Sequence, residues 1–297
     1  LPLKLEPLIR EAETNNPAIL AARYNWESAR SIVAARGAMP DPQFSYTYFI
    51  ENVETRVGTK EQIFGLRQKF PFLGKRGLKA DIAAAEAETV GFFHEALKEE
   101  VVLQVKNSFF QLFYLTRAIE VSEREKDLLK RVEDSALTKY ETGEGSQQNV
   151  LKIQVEMTTL EEKLLALNTQ RRTTEARLNR LLGRPAGLDP GIPEQPRLKP
   201  LEINSHKLSK LALKNRPELK AGRAAMEKSR EALNLAKKDY FPDLTVGFNY
   251  IQVDDGPLNV SDNGEDAYNV MFSINLPIWQ NKLSSQVKSA VQVAAAQ

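Results

Sequence analysis

The chain has 297 residues, 42% of them hydrophobic and 27% charged, and its 41 basic and 39 acidic side chains leave a formal net charge of +2. That composition is ordinary for folded protein, and the near-balance of charge gives no electrostatic reason to expect nucleic acid as a partner. There is no cysteine, the histidines (His94 and His206) are far apart, and no apolar run reaches about 18 residues, so disulfides and transmembrane helices are excluded and little remains for a transition-metal site. A barrel of alternating strands stays open, because its mean hydropathy is low. The chain opens on Leu1-Pro2-Leu3 with neither initiator Met nor signal peptide, so a mature or trimmed form is expected.

Residues 5–14 predict a short amphipathic helix with Leu5, Leu8, Ile9 and Ala12 on one face. Asn15-Asn16-Pro17 ends it and starts the next, since Asn suits a cap and Pro a first turn. Residues 18–38 are Ala- and Arg-rich and helical, up to Gly37. From Gln43 the period changes from 3.6 to 2: Phe44, Tyr46 and Tyr48 alternate with Ser45 and Thr47 over a strand at 43–50. A polar loop is expected at 51–61. A second strand at 62–70 carries Phe64, Leu66 and Phe70 on one face, with Gly65, Arg67 and Lys69 on the other. Strands of about 9 residues fit an outer-membrane barrel and equally a half-buried sheet in a soluble protein.

Residues 78–140 hold no proline and only Gly91 as glycine, and the seam Leu97, Val101, Val105, Ser108, Leu112, Leu115, Ile119 recurs at threes and fours. Such a helix runs roughly 95 Å. Tyr140-Glu141-Thr142-Gly143-Glu144-Gly145-Ser146 breaks it, with Ser146 as the expected N-cap. The return helix 147–182 carries the seam Val150, Ile153, Met157, Leu160, Leu164, Leu167, Arg171, Thr174, Leu178, Leu181, and the pair reads as an antiparallel coiled-coil hairpin over 76–182. The return arm is shorter by roughly 40 Å, and residues 217–238 are long enough to partner much of the remainder.

After a Gly- and Pro-rich linker at 183–204, the first part of the chain repeats. Asn15-Asn16-Pro17, Ala21, Arg23, Arg30 and Pro42 recur 200 residues later as Asn215-Arg216-Pro217, Ala221, Arg223, Arg230 and Pro242, and Lys69-Phe70-Pro71-Phe72 recurs 206 later as Asn275-Leu276-Pro277-Ile278. The second repeat, 205–297, predicts helices at 205–239, strands at 243–252 and 268–276, and a helix from 279 to 297. Leu244, Val246, Phe248 and Tyr250, then Val270, Phe272, Ile274 and Leu276, form the apolar strand faces. The expected fold is mainly α with a minor antiparallel β part, a single protomer of two interlocked repeats (1–182 and 205–297). By the symmetry, roughly 100 further residues would complete the second copy.

These features together resemble the TolC family of outer-membrane efflux proteins. The likeness rests on the paired starts Asn15-Asn16-Pro17-Ala18-Ile19-Leu20 and Asn215-Arg216-Pro217-Glu218-Leu219, and on the strand exit Phe70-Pro71-Phe72-Leu73-Gly74-Lys75-Arg76. It rests also on the tip Tyr140 to Leu151 and on Leu178-Asn179-Arg180-Leu181-Leu182-Gly183. The resemblance implies a homotrimer with a 12-stranded barrel joined to an α-helical periplasmic tunnel. It also implies an outer-membrane location in a Gram-negative bacterium, with a periplasmic adaptor (membrane fusion) protein and an inner-membrane pump as partners. On that likeness 51–61 and 254–266 become extracellular loops, and Thr142, Gly143, Glu144, Gly145, Ser146 and Gln147 the adaptor-docking tip. Phe44, Tyr46, Tyr48, Phe64, Leu66, Leu244, Val246, Phe248, Phe272 and Ile274 become lipid-facing. Asn149 departs from the Asp often found after the tip Ser.

The carboxylates of 254–266 lack EF-hand spacing and read as a solvated loop. Gly74-Lys75-Arg76 lacks the glycine and hydroxyl of a phosphate-binding loop and reads as a basic anchor at the membrane rim. No nucleophile–base pair or catalytic carboxylate pair is present, and no cofactor is implied. The expected function is a passive exit duct for drugs, metal ions or secreted substrates. A soluble coiled-coil scaffold with a small sheet is the alternative.

Overall fold

The computed structural model describes residues 2–196, 204–256 and 261–296. Its elements are β1 (Pro2–Leu3), α1 (Leu5–Asn15), α2 (Pro17–Gly37), β2 (Gln43–Thr55), β3 (Gly58–Phe70), α3 (Lys75–Glu141), α4 (Gln147–Leu181), β4 (Ile192–Pro193), α5 (Ser205–Asn215), α6 (Pro217–Lys238), β5 (Leu244–Asp254), β6 (Ala267–Ile274) and α7 (Gln280–Ala296). Two stretches of the expected linker and loop, 197–203 and 257–260, lie outside the described residues. Among the described residues no helix is long and apolar enough to cross a membrane.

The chain forms two compact units, and each draws on both sequence repeats. The first comprises 1–24 and 93–217. Here α3 and α4 make the coiled coil: Val101, Val105, Ser108, Leu112, Leu115 and Ile119 are buried, as are Val150, Leu160, Leu178 and Leu181 from the return arm. Leu3, Leu8, Ala12 and Ile19 join this core at its α4 C-terminal end. Each large side chain fully buried there contributes about 1.5–3 kcal/mol. The arms are tied across the solvated faces by Lys126–Glu161 at 2.6 Å and by Gln154 Nε2 donating to Glu133 at 3.1 Å.

Capping explains the two helix-end motifs in this unit. Asn16 is buried; its Oδ1 accepts the amides of Ala18 (2.9 Å) and Ile19 (3.2 Å), while its Nδ2 donates to Leu181 O at 2.9 Å. One amide thus closes the N-terminus of α2 and satisfies a carbonyl at the C-terminus of α4. Past Leu182, Gly183 takes φ of 71°, and a Cβ there would meet Asn15 O at 2.7 Å, so both conformation and space require glycine. Asn179, fully buried, donates to Leu188 O at 2.6 Å. Arg184 forks onto Glu11 at 2.6 and 2.5 Å. The two-residue strands β1 and β4 pair in parallel, a ladder too short to leave a period in the sequence.

The second unit comprises 25–92 and 218–297. The first turns of α3 run antiparallel to both α2 and α6: Gly37 faces Ala80, Gly91 faces Trp26, and Lys228 pairs with Glu86 while Lys220 lies over Phe92. Small residues (Ala83, Ala87, Gly91) one turn apart allow the close approach. A Cβ on Gly91 would come within 2.7 Å of the Trp26 indole nitrogen.

The sheet of this unit has the order β2-β3-β5-β6, antiparallel throughout. Residues 51–61 are not a loop: β2 runs on to Thr55, turns over Arg56 and Val57, and returns as β3 from Gly58. Thr55 Oγ1 donates to Gly58 O at 2.7 Å and Gly58 has φ of 131°. Backbone pairing needs no apolar face, so a polar extension of a hairpin looks like a loop when only side chains are read.

Candidate functional site

The pleat divides the sheet into two chemically distinct faces. Register places Tyr46, Phe64, Tyr250 and Tyr268 in one row across all four strands, and Phe44, Leu66, Phe248 and Val270 in the next. Val246 pairs with Phe272 and Leu244 with Ile274. Successive rings of the aromatic row lie 5.2, 6.0 and 5.3 Å apart. Tyr46, Tyr48, Leu66, Leu244, Phe248 and Ile274 are exposed, Phe44 and Phe272 at 69% and 70%, and Phe64 and Val246 half-buried. The opposite face carries Ser45, Gly65, Asn249 and Asn269 in one row and Gln43, Arg67, Gly247 and Met271 in the next. Asn249 Nδ2 donates to Asn269 at 2.8 Å, and a Cβ on Gly65 would strike Ser45 Oγ at 2.5 Å.

At the hairpin ends, Arg56 forks onto Asp262, and Gly264 N donates to Val57 O at 2.7 Å. Asp266 accepts from the Tyr250 hydroxyl at 2.5 Å and from Val253 N at 3.0 Å, and these bonds hold its carboxyl below the usual range. This loop is cross-braced, and among the described residues no group of three His, Asp or Glu is placed to hold a metal ion.

At the opposite end of the strands, sequence reasoning missed a buried charge cluster. Lys75, at the first turn of α3, is 5% exposed; its Nζ donates to Asp243 Oδ1 and Phe241 O, both at 2.9 Å. Within Gly74-Lys75-Arg76, Lys75 is therefore a buried pairing partner, whereas Arg76 is exposed. Asp243 also accepts Phe72 N at 2.9 Å and pairs with Lys69 at 3.0 Å. Burial pushes its carboxyl up, but the Phe72 amide and the two ammonium groups outweigh that and hold it at about 2. Phe72 and Phe241 stack at 4.6 Å beside it, and Asp243 N bonds Asn275 at 2.5 Å. The cluster ties the exit of β3, the start of α3, the entry to β5 and the exit of β6. Leu73, Leu276, Ile278 and Trp279 around it are exposed.

The turn between α3 and α4 wraps onto itself: Glu144 N and Gly145 N both donate to Lys139 O at 2.8 Å. Gly143 has φ of 78°, and a Cβ on Gly145 would lie 3.1 Å from Tyr140 N. Ser146 occupies the N-cap position of α4, but its side chain makes no capping bond, unlike the sequence expectation. Thr142, Gly143, Glu144, Ser146 and Gln147 are exposed and Gly145 is half-buried.

An amphipathic antiparallel sheet whose strands feed a coiled-coil hairpin of one 67-residue and one 35-residue helix is the architecture of outer-membrane channel subunits. The sequence profile of the outer membrane efflux proteins matches residues 8–184 and 208–297, and the chain belongs to that family. It is 21% identical over 300 residues to the cobalt-zinc-cadmium resistance protein CzcC of Cupriavidus metallidurans, covering 97% of this chain and 67% of that protein. The fold matches the outer-membrane channel OprN with a TM-score of 0.81 at 15% identity, over 98% of this chain and 68% of OprN. It matches the outer membrane protein VceC of Vibrio cholerae with a TM-score of 0.75 at 18% identity, over 98% and 73% of the respective chains.

Proposed function

We propose that the protein is the outer-membrane exit duct of an efflux assembly, a passive conduit for small solutes working with a periplasmic adaptor and an inner-membrane pump. The observation that carries this reading is the sheet. It exposes a contiguous aromatic and aliphatic face, and both of its edge strands, β2 and β6, lack a neighbour among the described residues. Such a sheet in water would aggregate, whereas pairing β6 of one copy with β2 of the next removes the edges and turns the apolar face to lipid. Three copies of four strands give the 12-stranded barrel that the family resemblance implies, with Phe44, Tyr46, Tyr48, Phe64, Leu66, Leu244, Val246, Phe248, Phe272 and Ile274 against lipid. The polar rows then line the pore. Trp279 and Lys282, just past β6, have the residue types of a membrane interface.

The two repeats act as one interlocked protomer, and the tip, Thr142 to Gln147, is the adaptor-docking element. The likeness to CzcC makes divalent metal ions one substrate class to test. The reading is checked by purification and reconstitution: the protein should require detergent, insert into liposomes as a trimer and release a trapped small solute. A chain that is monodisperse without detergent and ignores liposomes would instead support a soluble scaffold.

A further inference from the structure

The regular part of the sheet (43–48, 62–69, 245–252 and 267–273) contains no carboxylate, and its only charged side chains are Arg67 and Lys69. Both stand on the polar face. Lys69 pairs with Asp243 at 3.0 Å, and Asp243 and Asp239 together balance Lys69 and Lys75. Arg67 is exposed and makes no hydrogen bond or ion pair among the described residues. Its ladder partner on β5 is Gly247. A Cβ there would lie 3.2 Å from Arg67 Cγ and 3.2 Å from Met271 Cε, so the glycine leaves the floor on which the arginine stem rests. Apart from Lys69, which is paired with Asp243, the neighbours of Arg67 on this face are uncharged: Gln43 and Gly65 on β2 and β3, Thr245 and Asn249 on β5, Asn269 and Met271 on β6. Towards the hairpin ends the next charges, Glu51, Glu54, Lys60, Glu61 and Asp254, lie at or beyond the register shifts at Tyr48/Val53 and Lys60/Gln62, and Asp41 and Asp266 stand outside the strands, before β2 and β6.

We infer that Arg67 sets the charge preference of the conduit: an uncompensated guanidinium on an otherwise neutral pore wall, favouring anionic solutes over cations. This rests on the polar face lining the pore, and it deepens that reading by naming a substrate class. Each copy adds one fixed positive charge at the same height, with no carboxylate in the regular ladder to cancel it. A guanidinium keeps its charge at every physiological pH. Its field reaches about 10 Å at 0.1 M salt and about 3 Å at 1 M, so it biases ions near the wall at low ionic strength and is screened at high. An anionic solute or anionic metal complex is helped by this ring; a bare divalent cation is opposed.

The test is the reversal potential of the full chain in planar bilayers across a KCl gradient. The wild type should prefer chloride over potassium by about two-fold at 0.1 M, and the preference should shrink at 1 M. Arg67→Gln should abolish it, Arg67→Glu should invert it, and Arg67→Lys should keep it, which separates charge from folding. Channels with the same selectivity in the wild type, Arg67→Gln and Arg67→Glu would overturn the assignment and leave the conduit standing. A wild type that inserts into lipid without conducting would overturn the conduit and the assignment together.

Discussion

The ammonium of Lys75 and the carboxylate of Asp243 meet at 2.9 Å, one from the first turn of α3 and the other from the residue before β5. Both side chains are largely buried, at 6% and 12% exposure. The pair therefore joins two segments separated by 168 residues at the place where strands become helices. Removing one partner leaves the other buried and unpaired, which costs about 3–5 kcal/mol. Lys75→Met or Asp243→Leu should each destabilise the protein by about that amount. The double variant should recover much of the loss. Trp279, which lines the same pocket, gives the fluorescence signal for urea unfolding. Additive losses in the double variant would mean that the two residues act independently.

The same carboxylate makes a pH prediction. Asp243 sits at about 2 in the folded protein, below the ordinary 3.8. A depressed folded pKa means that its stabilisation is complete above about pH 4 and disappears as the pH falls towards 2. The linked loss is about 1–2 kcal/mol after allowance for its partial contact with solvent. Acid unfolding of Asp243→Asn, followed between pH 5 and 2, should be flatter than that of the wild type by this amount. Parallel profiles for the two proteins would refute it.

Much of the fold is written in periods. The heptad seams of α3 and α4 and the alternation of Phe44 to Tyr48 each report one buried or one apolar face, and periodicity detects such faces directly. The Lys75–Asp243 pair is silent in that language, because a buried charge looks like a surface charge until its partner is known. A trace was nevertheless present in the repeat. Asp243 stands where the first copy has Gln43, and Lys75 and Lys69 stand where the second has Asn281 and Asn275. Charge departs from the duplication at the positions where the two copies meet. Asn16 follows the same logic: its counterpart is Arg216, and Asn16 bonds Leu181 O at the end of α4. The polar hairpin ends at 51–61 stayed hidden for a different reason, since their order comes from backbone pairing and from Arg56–Asp262 rather than from a buried face.

Asn16 offers a third prediction. Asn16→Ala removes the cap of α2 and strands the carbonyl of Leu181 in a buried site. The expected cost is about 2 kcal/mol. It should appear as faster amide exchange at Ala18 and Ile19 and at the last turn of α4. Protection unchanged at both helix ends would show that water replaces the side chain without loss.

At the tip, Gly143 needs its positive φ, and a Cβ on Gly145 would sit in tight contact, at 3.1 Å, with Lys139 and Tyr140. Replacing both with valine should distort the turn while leaving the four-stranded sheet untouched, because no tip residue belongs to the unit that contains that sheet. Binding of a periplasmic adaptor, measured by cross-linking in cells, should fall at least several-fold, with the amount of protein in the outer membrane unchanged. Full cross-linking would remove the tip as the docking element.

Two neighbours on β6 provide the sharpest check on which face meets lipid. Asn269 pairs with Asn249 on the polar face, and Val270 pairs with Phe248 on the apolar one. An arginine on a lipid-facing strand costs about 2–4 kcal/mol near the bilayer centre, whereas one facing a water-filled lumen costs little. Val270→Arg should therefore reduce folding into liposomes, read as loss of the heat-modifiable band on a gel. Asn269→Arg should insert normally and alter only conductance. The reverse outcome would mean that the sheet is turned over, with the aromatic row Tyr46-Phe64-Tyr250-Tyr268 inside and Arg67 outside. Because the two positions are adjacent, local strand propensity and distance from the membrane edge are nearly the same for both, and the difference isolates the direction in which each side chain points.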